Sequence, residues 1–246
     1  MRDGTRFPSF MNKLLHPICV VAAVLANPAL ALEPSFVSVE QIRAFQVLPA
    51  PPASDSETTR AELAELHRIE AARTPEQAHR AIADDGNESI FIFHAQLDPR
   101  FTSARLPLTA ALSVKLNDDE SVNTDPAKRG FQRVRPYNLD QTLHPVCKTK
   151  TKNDSYPSGH STTGYLMALA LIDMVPEKRD QILARADDYA NNRLVCGVHY
   201  ASDLQASKLL AYAMHAVMNT NPRYRQELAA ARQELRQTLG LAPAVN

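Results

Sequence analysis

Apolar residues return at helical spacing along most of the chain. From 57 to 73 the apolar positions Leu63, Leu66 and Ile69 form one stripe, which predicts an amphipathic helix. Thr74-Pro75-Glu76-Gln77 then supplies a capping residue, a first-turn proline and a capping-box glutamine, so a second helix starts there. Further helices are predicted over 89–97, 108–116 and 126–134, the last behind the cap candidates Thr124 and Asp125. The second half continues with 161–174, 177–192, 199–218 and, behind an Asn221 cap, 222–239. No stretch alternates as a strand does, and the 7 glycines form no cluster, so the fold class expected is all-α, a single-domain helical bundle.

The first segment differs from the rest of the pattern. Arg2, Arg6 and Lys13 precede an apolar run from Ile18 to Leu25, and Ala29-Leu30-Ala31 offers small residues where a signal peptidase cuts. Residues 1–31 therefore read as a signal peptide, with Met1 or Met11 as the start, and the mature protein is expected to be periplasmic or secreted. The run is broken by Asn27 and Pro28, short of the ~20 apolar residues of a spanning helix. The proline-rich stretch from Leu48 to Pro52 leads to residues 32–56 being read as an N-terminal extended arm, and 57–246 as the helical domain. The apolar runs 165–172 and 209–217 are too short to cross a bilayer and read as core helices, so no integral membrane segment is expected after signal removal.

Composition and charge narrow the partners. With 44% hydrophobic and 22% charged residues the chain has enough apolar mass for a core and is not of the disordered class. Removing residues 1–31 takes away three basic groups and one acidic group, leaving 24 basic against 26 acidic and a net charge of −2. That balance gives no electrostatic reason to expect nucleic acid or an anionic membrane as partner. Cys19 leaves with the signal. Cys147 and Cys196 remain, an even count in a compartment that permits disulfides, and a bridge is expected over two buried thiols. Closing a loop of that length stabilises by about 4 kcal/mol in the chain-entropy model.

Three clusters carry candidate chemistry. Lys128 and Arg135 are seven apart, two turns if on one helix, where they reach the same side and can hold two oxygens of a tetrahedral anion; a solvated face is the bland alternative. Ser158-Gly159-His160 precedes an apolar helix, where free amides and the helix dipole favour an anion, although an ordinary serine cap has the same appearance. His199 and Asp203 are four apart, so the carboxylate can take one ring N–H and leave the other nitrogen as a lone pair, unless they form a mere surface contact. His67, His79, His94, His144 and His215 have no metal-ligand spacing and read as structural or surface residues. The run Asp118-Asp119-Glu120 reads as a solvated helix end.

Together the clusters resemble the signature of the type 2 phosphatidic acid phosphatase superfamily, which includes the bacterial class A non-specific acid phosphatases and the vanadium haloperoxidases. The family pattern is lysine, six residues, Arg-Pro; then Pro-Ser-Gly-His; then Ser-Arg, five residues, histidine, three residues, aspartate. This chain has Lys128 and Arg135-Pro136, Pro157 to His160, and Arg193, His199 and Asp203, ten matching positions in order. The text around Tyr156 and Val195-Cys196-Gly197-Val198 is similar to the secreted acid phosphatases. Two positions depart: Asn192 stands at the family's serine, and Asp154 at the acid phosphatases' usual glycine, where its charge is expected to alter selectivity for anions.

The resemblance implies that Lys128, Arg135, Arg193 and the amides near Ser158 and Gly159 bind phosphoryl oxygens. His199 would attack phosphorus, Asp203 would orient it, and His160 would protonate the leaving alcohol. No metal or other cofactor is implied, though vanadate fits the same site. The expected partners are small phosphorylated substrates, and a homodimer is suggested by the resemblance alone. Phosphate transfer to an alcohol is an expected side activity. The competing readings are a vanadium-dependent haloperoxidase, a lipid phosphate phosphatase acting from solution, and a non-catalytic phosphate-binding protein.

Overall fold

The computed structural model describes residues 33–242 together with Met1, Asp3 and Gly4. The signal reading of 1–31, with Met11 and Cys19, otherwise lies outside the described residues. The chain divides into two units, Met1–Ala31 and Leu32–Asn246, and all elements below belong to the second.

Residues 32–56, expected as an extended arm, instead carry two short helices, α1 (Val39–Ile42) and α2 (Ala44–Val47). Phe36, Val37, Ile42, Ala44 and Leu48 are buried in the main core, so this segment is part of the helical body. Helix α3 (Glu57–Ala72) starts where the Ser56 hydroxyl accepts the Thr59 N–H. Helix α4 (Pro75–Asp85) starts at the Thr74–Gln77 capping box read from the sequence. A 3₁₀ turn (Ile90–Phe93) leads into α5 (His94–Leu97).

Helix α6 (Pro107–Phe131) merges the two helices expected over 108–116 and 126–134. The acidic run between them is not a solvated end. The Asp119 carboxylate accepts the N–H groups of Ser35 and Phe36, Glu120 is buried, and the buried stripe continues through Asn123, Thr124 and Ala127. Burial on that face outweighs the N–H lost at Pro126. The helix stops at Gln132, whose φ of 47° is left-handed. After the short α7 (Pro136–Leu139) come α8 (Gly159–Met174), a 3₁₀ turn (Pro176–Lys178), α9 (Arg179–Val195), α10 (Ala201–Met218) and α11 (Pro222–Leu239). Asn221 caps α11 by accepting from Arg223 and Tyr224.

Helix α8 is apolar on every side because it runs through the middle, packed by α6, α9, α10 and α11. Leu166, Met167, Leu171 and Met174 have no exposed surface, and each stabilises by roughly 1.5–3 kcal/mol through burial. At Gly164 the helix meets the Tyr189 ring of α9 so closely that a Cβ would lie 2.6 Å from it. Among the described residues there is no strand, and the fold is an all-α single domain. None of the described helices is long and apolar enough to cross a membrane.

Candidate active site

The N-terminus of α8, the start of α10 and the ends of α4, α6 and α9 come together around one cavity of about 290 Å³. Of the residues given a catalytic or phosphate-binding role by the resemblance, Lys128, Arg135, Gly159, His160, Arg193 and His199 line it. Asp203 and Ser158 stand behind the wall with no exposed surface. The Ser158 hydroxyl caps α8 by accepting the Ser161 N–H, so its side chain serves the helix and not the cavity.

Lys128 and Arg135 do not share a helix. Lys128 is in the last turn of α6, and Arg135 is the N-cap of α7, beyond the left-handed Gln132. His199 likewise precedes α10, with Tyr200 as N-cap and Asp203 in the first turn. The chain reaches His199 from α9 through Gly197, whose φ of 75° suits glycine.

His199 Nδ1 lies 3.1 Å from Asp203 Oδ2, and Nε2 lies 3.2 Å from Nη1 of Arg135. An arginine has only donors, so Nε2 is the acceptor and the proton is on Nδ1. Burial pushes the His199 ring well below its ordinary value, helped by the charges of Arg135, Arg193, Lys128 and His160. The neutral ring with its bare nitrogen toward the cavity is thus the form these surroundings favour.

Asp203 is held by more than the histidine. Arg133 Nη1 is 2.6 Å from Oδ1, while Oδ2 accepts from Ser155 Oγ at 2.6 Å and Tyr200 N–H at 3.0 Å. Burial raises this carboxyl, against the pull of Arg133, Ser155 and Tyr200. Arg133, missed in the sequence, is itself buried, bonds Glu62 at 2.9 Å and lies 3.9 Å over the Tyr200 ring. It stands two residues before Arg135, and the two arginines reach the two members of the same pair.

Each cationic group has a carboxylate neighbour that no spacing rule revealed. Arg135 Nε donates to Asp154 Oδ1 at 2.7 Å, so the aspartate at the departing position occupies one edge of the guanidinium. Arg193 Nη1 donates to Asp85 Oδ1 at 2.7 Å, while its Nε is buried with no partner among the described residues. Lys128 Nζ donates to the backbone oxygens of Pro157 and Asp154; burial pushes its ammonium down and Glu120 pulls it up. The Glu120 carboxylate lies against Gly159, where a Cβ would come within 3.0 Å of it, so the glycine admits the acid to the wall. His160 Nδ1 is 2.8 Å from Glu88 Oε1 and Nε2 is 3.1 Å from the Asp85 backbone oxygen.

Two framework contacts hold this arrangement. Cys147 and Cys196 are joined in a disulfide, tying the loop that carries Lys148, Lys150 and Asp154 to the end of α9. Asn192, at the second departing position, donates to Asp84 Oδ2 at 2.7 Å and so ties α9 to α4. A metal-ligand grouping among the described residues, Asp85 with the two cysteines, has both sulfurs in that bridge and supplies no thiolate. His67, His144 and His215 pair with Asp140, Glu70 and Asp173 and do not line the cavity.

The profile of the PAP2 superfamily matches residues 105–227, half of the chain, and spans every position from Lys128 to Asp203. A non-specific acid phosphatase of Providencia stuartii is 34% identical over 128 residues, covering 50% of this chain and 51% of that protein. An acid phosphatase of Zymomonas mobilis is 35% identical over 137 residues, covering 54% and 51%. A non-specific acid phosphatase of Salmonella typhimurium is 35% identical over 117 residues, 46% of each. The chain thus spans about half the length of the curated relatives it matches. Two solved structures share the fold. A bacterial vanadium-dependent iodoperoxidase has a TM-score of 0.57 at 19% identity, covering 72% of this chain and 53% of that one. A transmembrane phosphatidylglycerolphosphate phosphatase of Bacillus subtilis has a TM-score of 0.50 at 16% identity, covering 68% and 87%.

Proposed function

Because the chain belongs to the PAP2 superfamily, we propose that it is an acid phosphatase that hydrolyses small phosphate monoesters through a phosphohistidine on His199. One observation carries the reading: the bare Nε2 of His199, fixed by the Nδ1 contact to Asp203, faces a cavity walled by Arg135, Arg193 and Lys128.

The chemistry follows from that placement. The phosphoryl oxygens take the guanidinium groups of Arg193 and Arg135, Lys128 and the amides at the start of α8, where the helix dipole adds to the attraction. Fixed cations stabilise the equatorial charge, which is what phosphoryl transfer chiefly requires, and they do so without a metal. His199 Nε2 forms the P–N bond as the P–O bond to the alcohol breaks, and the departing oxygen takes a proton from His160. The positive charge that appears on the His199 ring is balanced by Asp203. Water then attacks phosphorus, gives its proton to His160, and releases inorganic phosphate and neutral His199. An alcohol in place of that water gives transphosphorylation. Removal of residues 1–31 as a secretion signal would place this activity in the periplasm or outside the cell.

The test is turnover of an aryl phosphate by His199→Ala, from pH 4 to 9, with and without chelator. A loss of at least about a thousandfold is expected, and wild-type activity is expected to survive the chelator. Near wild-type turnover by His199→Ala overturns the nucleophile, and activity lost to chelator but restored by a divalent cation overturns the metal-free site.

A further inference from the structure

His160 is gripped from both sides. Nδ1 lies 2.8 Å from Glu88 Oε1, and Nε2 lies 3.1 Å from the backbone oxygen of Asp85, with that residue's Oδ1 at 3.9 Å. Both neighbours are acceptors, so a ring with one proton satisfies one contact and a ring with two satisfies both. The Tyr189 ring of α9 lies 6.4 Å away, at 22° to it. The carboxyl of Glu88 is raised by burial but lowered more by the His160 hydrogen bond and charge, by Arg193 and by Lys150, and the net direction is downward. It therefore remains ionised beside the ring in weak acid.

We propose that Glu88 is a positioning residue that loads His160 with its proton: the carboxylate keeps Nδ1–H, and Nε2–H is parked on the Asp85 carbonyl until an ester oxygen replaces it. This rests on the phosphatase reading above. During P–O cleavage the Nε2 proton passes to the leaving oxygen, leaving a neutral ring with Nδ1–H still on Glu88. Glu88 thereby decides which nitrogen is bare, and the bare Nε2 takes the proton of the water that attacks the phosphohistidine. Two carboxylate–histidine pairs then act in opposite senses. Asp203 faces a ring kept neutral by burial and by cations, and Glu88 faces a ring at a partly exposed wall whose two nitrogens both meet acceptors.

Other charges meet the same ring. Asp85 and Glu88 face it from the end of α4 and the turn after it, and Arg193 from α9. His199 lies across the cavity, which Glu120, Lys148 and Lys150 also line. Of these acids, Glu88 is the one with a carboxylate oxygen in hydrogen-bond range of the ring; the Glu88 side chain is 37% exposed, so solvent screens the pair and a moderate effect is expected.

The leaving group supplies the test. Glu88→Gln keeps an acceptor for Nδ1 but removes the charge. A nitrophenyl phosphate departs with little need of a proton, whereas an alkyl phosphate requires one. For Glu88→Gln, kcat on the alkyl ester is expected to fall about tenfold to a hundredfold. The loss on the aryl ester is expected to be at least about tenfold smaller. The alkaline limb of the alkyl-ester profile should move to lower pH, because the two-proton ring is lost sooner. Glu88→Asp, with the charge on a shorter arm, should recover part of the alkyl rate. Equal losses on both esters, or an alkaline limb that stays in place, overturn the proposal. If His199→Ala is inactive and His160→Ala is leaving-group dependent while Glu88→Gln is not, this inference alone fails; if His199→Ala remains active, the phosphatase reading fails with it.

Discussion

Replacing Arg133 by alanine removes a charge that nothing else at its position can supply. Its guanidinium bridges two carboxylates, Asp203 at 2.6 Å and Glu62 at 2.9 Å, with side-chain exposures of 4% for the arginine, 0% for Asp203 and 10% for Glu62. Breaking a buried pair from one side costs about 3–5 kcal/mol, because the remaining charge stays out of water with its partner gone. For a domain of this size each kcal/mol moves Tm by about 2–4 °C, so Arg133→Ala should melt roughly 6–20 °C below wild type. Asp203 can escape part of the cost by taking a proton, so the deficit should shrink as pH is lowered. Arg129→Ala is the control: its pair with Asp125 is 70% and 61% exposed, and such pairs contribute about 0–1 kcal/mol. Thermal unfolding followed by circular dichroism at pH 7 and pH 5 measures both variants. A melting point for Arg133→Ala within 2 °C of wild type, as roughly expected for an exposed pair, would falsify the claim that Arg133 is the counter-charge of Asp203.

Two further outcomes are expected. Burial and four surrounding cationic groups hold His199 well below an ordinary histidine, so the nucleophile stays unprotonated as pH falls; the acid limb of kcat/KM should lie well under 6.5 and should rise in Arg135→Met, and a wild-type limb at or above 6.5 contradicts the assignment. Gly164→Ala gains roughly 1 kcal/mol of helix propensity but sets a Cβ 2.6 Å from a buried Tyr189 ring whose hydroxyl is fixed on Asn87 O at 2.8 Å. Overpacking should outweigh the gain and lower Tm by a few degrees, and an unchanged or raised Tm shows that α8 and α9 can separate freely.

What was legible in the sequence was governed by short-range rules. Thr74 and Asn221 cap the helices that follow them because a side-chain oxygen reaches an N–H two or three residues on, and such reach is visible in the letters. The same rules failed at α6, where Asp119 and Glu120 looked like a wet helix end. Their burial depends on Ser35 and Phe36, 84 and 83 residues away, and on a cavity made by other helices. The pairing of His199 with Asp203 was read correctly from a spacing of four, but for a different reason: the contact spans the start of α10, where Asp203 also accepts the Tyr200 N–H.

By itself the sequence determined that the chain is helical and that ten residues stand in the order of the PAP2 signature, since periodicity, caps and motif spacing are all read along the chain. Only the tertiary structure decided which charges face those residues. Arg133 meets Glu62 across 71 residues, Arg193 meets Asp85 across 108, and His160 meets the Asp85 backbone across 75. Contacts of that range have no period to read. They arise because packing α6, α9 and α10 around α8, with α4 against α9, brings their ends to one place, where a buried charge must find its opposite.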